Sequence, residues 1–216
     1  MLGFPQTTEF NKRIPKQKFY ENMDVSPALK RVFVEQIKLI HWRNKIAPTT
    51  INIAPGEAVN EIEVIEIKVN QQSLDEAVLR QIDKEIPYHI LFVLSCGNKV
   101  QAWTGYKEAT EGGNKAFKVN KYYHTDWMLP DELTLDIEGL NMDAVWENFI
   151  IQVGGVEIEQ GKSLDEQIET DELKAKLQKN IEKLEKQARS EKQPNKKFQL
   201  ASQVKTLKKR LTELGI

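Results

Sequence analysis

The fold is decided by three stretches in succession: Glu61-Ile-Glu-Val-Ile-Glu-Ile-Lys-Val69, then Ser73-Leu-Asp-Glu76, then Tyr88-His-Ile-Leu-Phe-Val-Leu94. The first alternates acids and aliphatics, a strand signal, and leaves one side fully apolar and the other mixed. Ser73 and Glu76 have capping-box spacing and open a helix, Leu74 to about Glu85, stopped by Pro87. The third stretch is a continuous apolar run, as expected of a central strand buried on both faces.

Downstream, Gly97-Asn98 turns the chain into a hairpin partner, Val100–Tyr106. A Gly112-Gly113-Asn114 loop then leads to a third antiparallel strand, Phe117–Tyr123. Residues 124–139 read as irregular, with a short strand at Leu133–Ile137, and a helix follows over Ala144–Val153. Upstream, Ser26-Pro27 starts a helix whose stripe Leu29, Phe33, Ile37 and Ile40 carries it to about Trp42. Thr50–Ile53 reads as a short strand between Pro48 and Pro55. The class is α/β (α+β): a compact mixed-sheet domain with flanking helices. Its expected organisation is an extended basic arm over 1–25, the α/β domain over 26–160 and a helical hairpin over 161–216.

In the hairpin, Ser163 and Glu166 form another capping box. The helix runs through Leu173, Leu177, Ile181, Leu184 and Ala188 until Gln193-Pro194-Asn195 interrupts it. Leu200, Val204, Leu207, Leu211 and Leu214 then step by four and three, a heptad seam for an antiparallel hairpin or coiled coil. That seam must pack on itself, on the body or on another chain. It is the candidate surface for docking a partner or for oligomerisation.

The 216 residues are 40% apolar and 29% charged, enough for a buried core in a soluble chain. A net charge of −1 conceals segregation: residues 1–45 carry nine Lys/Arg and four Asp/Glu, residues 46–173 nine and twenty-four, residues 174–216 thirteen and four. Basic ends around an acidic middle suit contact with nucleic acid, or with the protein's own body or an acidic partner. Lys12, Arg13, Lys16 and Lys18 interleave with Phe19 and Tyr20, a pattern that grips phosphate and stacks bases. Lys205, Lys208, Lys209 and Arg210 cluster off the seam and form a second candidate contact.

Cys96 is the one cysteine, and His41, His89 and His124 lie far apart, so neither a disulfide framework nor zinc spacing exists. No secretory leader or bilayer-length apolar run is recognised, so the expected location is the cytoplasm. Neither a P-loop nor a dinucleotide fingerprint is present. The expectation is therefore no cofactor and no metal. One alternative stands: Glu66-Ile-Lys68 has the carboxylate and lysine spacing of restriction-type nucleases, in which the carboxylate holds Mg²⁺. Glu63 is a candidate second carboxylate, Glu57 and Glu61 being equally open by sequence. Asp83 and His89 are a further acid–base pair to examine, against a plain buried histidine. Lys107, after the hairpin strand, reads either as a phosphate contact or as a charge-paired strand end.

Phe10–Tyr20, Ile86–Leu94, Gln101–Glu108 and Glu138–Trp146 together resemble the bacterial domain of unknown function family 4391. The resemblance covers most of the chain and supplies no catalytic residue. It implies proteins encoded beside SNF2-like helicases and DNA methyltransferases, in clusters like restriction or phage-defence systems. The expectation is accordingly a non-catalytic accessory or adaptor subunit with a protein partner and possible DNA contact. The alternatives are a metal-dependent nuclease subunit, or a structural homo-oligomer with no nucleic-acid role.

Overall fold

A computed structural model describes residues 2–21, 25–109, 117–159 and 161–214, without the side chains of 107–109, 117 and 118. The expected Gly112–Asn114 loop and the side chain of Lys107 lie outside the described residues. The chain divides into two units, Met1–Val156 and Glu157–Ile216.

The first unit is built on one six-stranded sheet in chain order: β1 (Glu9–Ile14), β2 (Ile37–Ile46), β3 (Ile62–Val69), β4 (His89–Cys96), β5 (Lys99–Ala109) and β6 (Phe117–His124). All neighbours are antiparallel except β3 and β4, which are joined in parallel through helix α3 (Glu76–Glu85). Helix α1 (Pro27–Gln36), α3 and the turn Lys16–Phe19 cover one face, here the first. Beneath them Phe33, Ile37, Ile40, Ile65, Ile67, Phe92 and Leu94 form the core. Helix α4 (Met142–Gly154) runs against β5 and β6, and its Trp146 meets His89 on the second face at 4.9 Å between ring centroids.

Both faces of β3 are therefore buried: Ile65, Ile67 and Val69 on the first, Ile62 and Val64 on the second. On the mixed face Leu2 and Phe4 lie beside Val64, and the Phe4 ring is 5.7 Å from Phe149 of α4.

Five elements differ from expectation. The arm over 1–25 is instead part of the body: residues 9–14 form the edge strand, and Phe19 and Tyr20 enter the core. The first helix stops at Gln36, and Ile37 and Ile40 belong to β2. A bulge between Ile37 and Leu39 lets these two residues, three apart, face the same side, which imitates helical spacing. Residues 48–51 form a helical turn, α2 (Pro48–Ile51), because Pro48 sits at its first position and the Thr50 hydroxyl accepts from the Ala47 amide at 2.9 Å. Helix α3 is capped by Asp75, which accepts from the Ala77 amide, rather than by Ser73. Over Leu133–Ile137 only an isolated bridge from Thr134 to Leu2 forms.

The second unit is the expected antiparallel pair, α5 (Leu164–Ser190) and α6 (Pro194–Glu213). The Ser163–Glu166 capping box is in place, with both reciprocal bonds. Leu177 and Ile181 are buried on α5, while Leu200, Val204, Leu207, Leu211 and Leu214 are half-buried. A Lys208–Glu185 ion pair of 2.7 Å ties the helices together.

Candidate nucleic-acid and partner interface

The sheet's second face is open along β1 and β2. Residues directly opposite across paired strands share a face, so Arg13, His41, Glu66 and Val93 form one row. A bulge between Trp42 and Asn44 delivers Arg43 to the same place. Its Nε donates to Glu66 Oε2 at 2.7 Å, and a terminal guanidinium nitrogen lies 2.5 Å from the same oxygen. Ser95 Oγ donates to Glu66 Oε1 at 2.7 Å. Glu66 is 8% exposed, so its charge is met within the protein. Two residues on, Lys68 stands exposed on the same face. A cleft of about 300 Å³ opens beside the pair between Glu9, Asn11, Arg43 and Asn44, with Leu2 and Phe4 at its apolar end.

Glu63 does not join Glu66 and Lys68. It stands three residues from Glu66 on an unbulged strand and so faces the other side, where it is fully buried. There burial, reinforced by the adjacent Glu61 carboxylate, pushes its carboxyl up to about 9. Burial also raises Glu61, but its bonds to Glu63 and Lys45 outweigh this and hold it below the usual range. The Lys45 ammonium, 2.5 Å from Glu61, is raised by that contact. The Glu61–Glu63 pair thus keeps one proton at neutral pH, and Glu63 is no partner for a metal at Glu66. Among the described residues, no three His, Cys, Asp or Glu side chains are grouped to hold a metal ion.

The basic residues of the N-terminal stretch separate by role. Lys16 Nζ donates to the carbonyls of Phe33 (3.2 Å), Val34 (3.0 Å) and Ile37 (2.7 Å), closing the C-terminal end of α1. Its donors are spent on backbone. Lys12 lies 4.2 Å over the Phe10 ring, which packs on Trp42. Arg13 and Lys18 are exposed. A second cleft, about 330 Å³, is bounded by Arg13, Lys16 and Lys38, with Ile14, Gln17 and Leu39 between them and no carboxylate in its lining. Lys38 went unseen in the sequence because its segment reads as helix; in the fold it lines the same cleft as Arg13.

On the hairpin, Lys208 is taken by Glu185 and Lys209 lies 3.8 Å from Glu213. Lys205 and Arg210 remain exposed. The seam leucines lie between α5 and α6. Asp83 accepts from the Tyr122 hydroxyl, and burial followed by that carboxylate raises Tyr122 far above the ordinary phenol range. Cys96 is a half-buried free thiol.

The stretches quoted for the family resemblance have structural work. Beyond Lys16, Gln101 Nε2 donates to the Thr125 carbonyl at 2.7 Å, and its Oε1 accepts from the Trp103 indole at 2.8 Å. Asn141 caps α4 through the Ala144 amide. The Asp143 carboxylate gathers the amides of Glu57 (2.6 Å), Ala58 (3.1 Å) and Val59 (2.7 Å). A side chain at Gly56 would collide with Asp143, which is why the loop begins on glycine.

Fold and site together define a mixed-sheet α/β protein with a helical hairpin and a cation-lined open sheet face. A family model for a domain of unknown function (DUF4391) matches residues 2–211. The chain belongs to that family. No curated protein and no solved structure matches it. Among the described residues no helix is long and apolar enough to cross a membrane.

Proposed function

We propose that the protein is a non-catalytic accessory subunit that contacts DNA through the open sheet face while docking a protein partner. The observation that carries this reading is the cleft with exposed Arg13 and Lys38 in its lining, continued across the sheet by His41 and Lys68. Its cations suit a phosphate backbone, and the buried Glu66 carboxylate on that face is neutralised by Arg43. The family resemblance supplies the setting: a bacterial restriction or phage-defence assembly, cytoplasmic, with a helicase or methyltransferase as partner. The test is fluorescence anisotropy of the full chain on labelled duplex over a salt series. Binding should weaken with a slope of about −0.9 per phosphate neutralised. Arg13→Glu with Lys38→Glu should lower affinity at least tenfold and flatten the slope by about two. Unchanged binding in that variant refutes the reading.

A second reading has its own support: Glu66 and Lys68 share a face of β3, the strand that leads through α3 into its parallel neighbour. As a nuclease centre, Glu66 would have to exchange Arg43 for Mg²⁺ and a second acid would have to come from elsewhere. Mg²⁺- or Mn²⁺-dependent cleavage lost in both Glu66→Gln and Lys68→Ala would establish it. Cleavage that survives either change excludes it.

A further inference from the structure

We infer that the tip of the helical hairpin binds single-stranded nucleic acid by stacking a base on Phe198. Phe198 is 76% exposed, the most exposed aromatic among the large apolar side chains of the described residues. It lies one residue outside the α6 seam, so packing of the hairpin does not use it. Around it the charge is one-sided: residues 186–198 carry Lys186, Arg189, Lys192, Lys196 and Lys197 against Glu191 alone. The Glu191 carboxylate is engaged by the Gln193 amide at 2.9 Å. Among the described residues, no carboxylate stands within ion-pair distance of Lys186, Lys192, Lys196 or Lys197. On the same helix pair a groove of about 370 Å³ is lined by Ala188, Ala201 and Val204 together with Arg189, Lys197 and Glu185, whose carboxylate is held by Lys208 at 2.7 Å.

Mutually repelling cations at a helix junction cost stability until a polyanion arrives. A polyanion alone would need no bare aromatic. An exposed ring set among phosphate-binding cations fits a strand whose bases are unstacked and whose backbone tracks the lysines. Duplex DNA keeps its base faces stacked and gains only the electrostatic part. This contact is independent of the sheet face proposed above.

The experiment uses the full chain and labelled oligothymidylate, read by anisotropy. Phe198→Ala should weaken binding about tenfold, and Phe198→Trp should retain it. Lys196→Ala with Lys197→Ala should flatten the salt slope by about 1.4, at about 0.7 per phosphate contact. Because Phe198 is exposed, far-ultraviolet circular dichroism should show unchanged helicity. The Arg13→Glu, Lys38→Glu variant should keep its sensitivity to Phe198, which separates this contact from the sheet face. The inference is overturned if Phe198→Ala binds like the parent. It is equally overturned if blunt duplex or polyglutamate of matched charge competes as well as the single strand.

Discussion

Replacing Glu63 with glutamine keeps the shape of the side chain and removes its ionisation. In the folded protein this carboxyl titrates at about 9, because it is buried on β3 beside Glu61. In the unfolded chain it returns to 4.5. Between those values the folded state binds the extra proton, so stability is greatest at the acid end and falls as pH rises, by up to about 1.4 kcal/mol per unit. From about pH 5.5 to about pH 8 the parent should lose about 3 kcal/mol through this residue alone. Glu61, held low, is ionised in both states across that window and adds no slope. All other titratable groups are common to parent and variant and cancel in the comparison. Urea unfolding of both proteins at the two pH values measures the effect. Glu63→Gln should gain about 3 kcal/mol relative to the parent on going from the lower pH to the higher. A stability difference that does not move with pH refutes the reasoning, because it would mean that Glu63 is charged in the fold or reaches solvent.

Asp143→Ala should cost about 2 kcal/mol, since one partly exposed carboxylate holds three backbone amides. Hydrogen exchange should speed selectively at Glu57, Ala58 and Val59. Lys16→Met keeps the aliphatic stem and deletes the cation that closes α1. A loss of about 1 kcal/mol is expected in thermal or urea unfolding, with α1 amides exchanging first.

Periodicity carries its reading only where one element follows one period. Strands β3 and β4, the turn at Gly97 and the Ser163 capping box were all legible, because each is a local pattern with a local cause. The start of β2 was not. Its bulge puts Ile37 and Ile40 on one face at a spacing that a helix also satisfies, and only pairing with Val69 and Ile67 tells the two apart. The candidate site was partly legible. Arg13 and Lys68 are on the open face as charges read from sequence, whereas Lys16 turned from a phosphate contact into a helix-closing residue. Strand parity alone would have separated Glu63 from Glu66, since three steps along a regular strand reverse the face.

The sequence by itself determined the α/β class, the two strands on either side of α3, the two-helix hairpin at the C-terminal end and the separation of charge along the chain. These follow from hydrophobic period, capping chemistry and composition, which act over a few residues. Tertiary structure alone decided that residues 9–14 close the sheet as its edge, that Leu2 and Phe4 come to lie beside Val64 on the second face of β3, and that Arg43 neutralises Glu66. Each of these joins residues about 20 or more positions apart. Such partners are chosen by packing and desolvation in the whole fold, and a local pattern of residues carries no record of them.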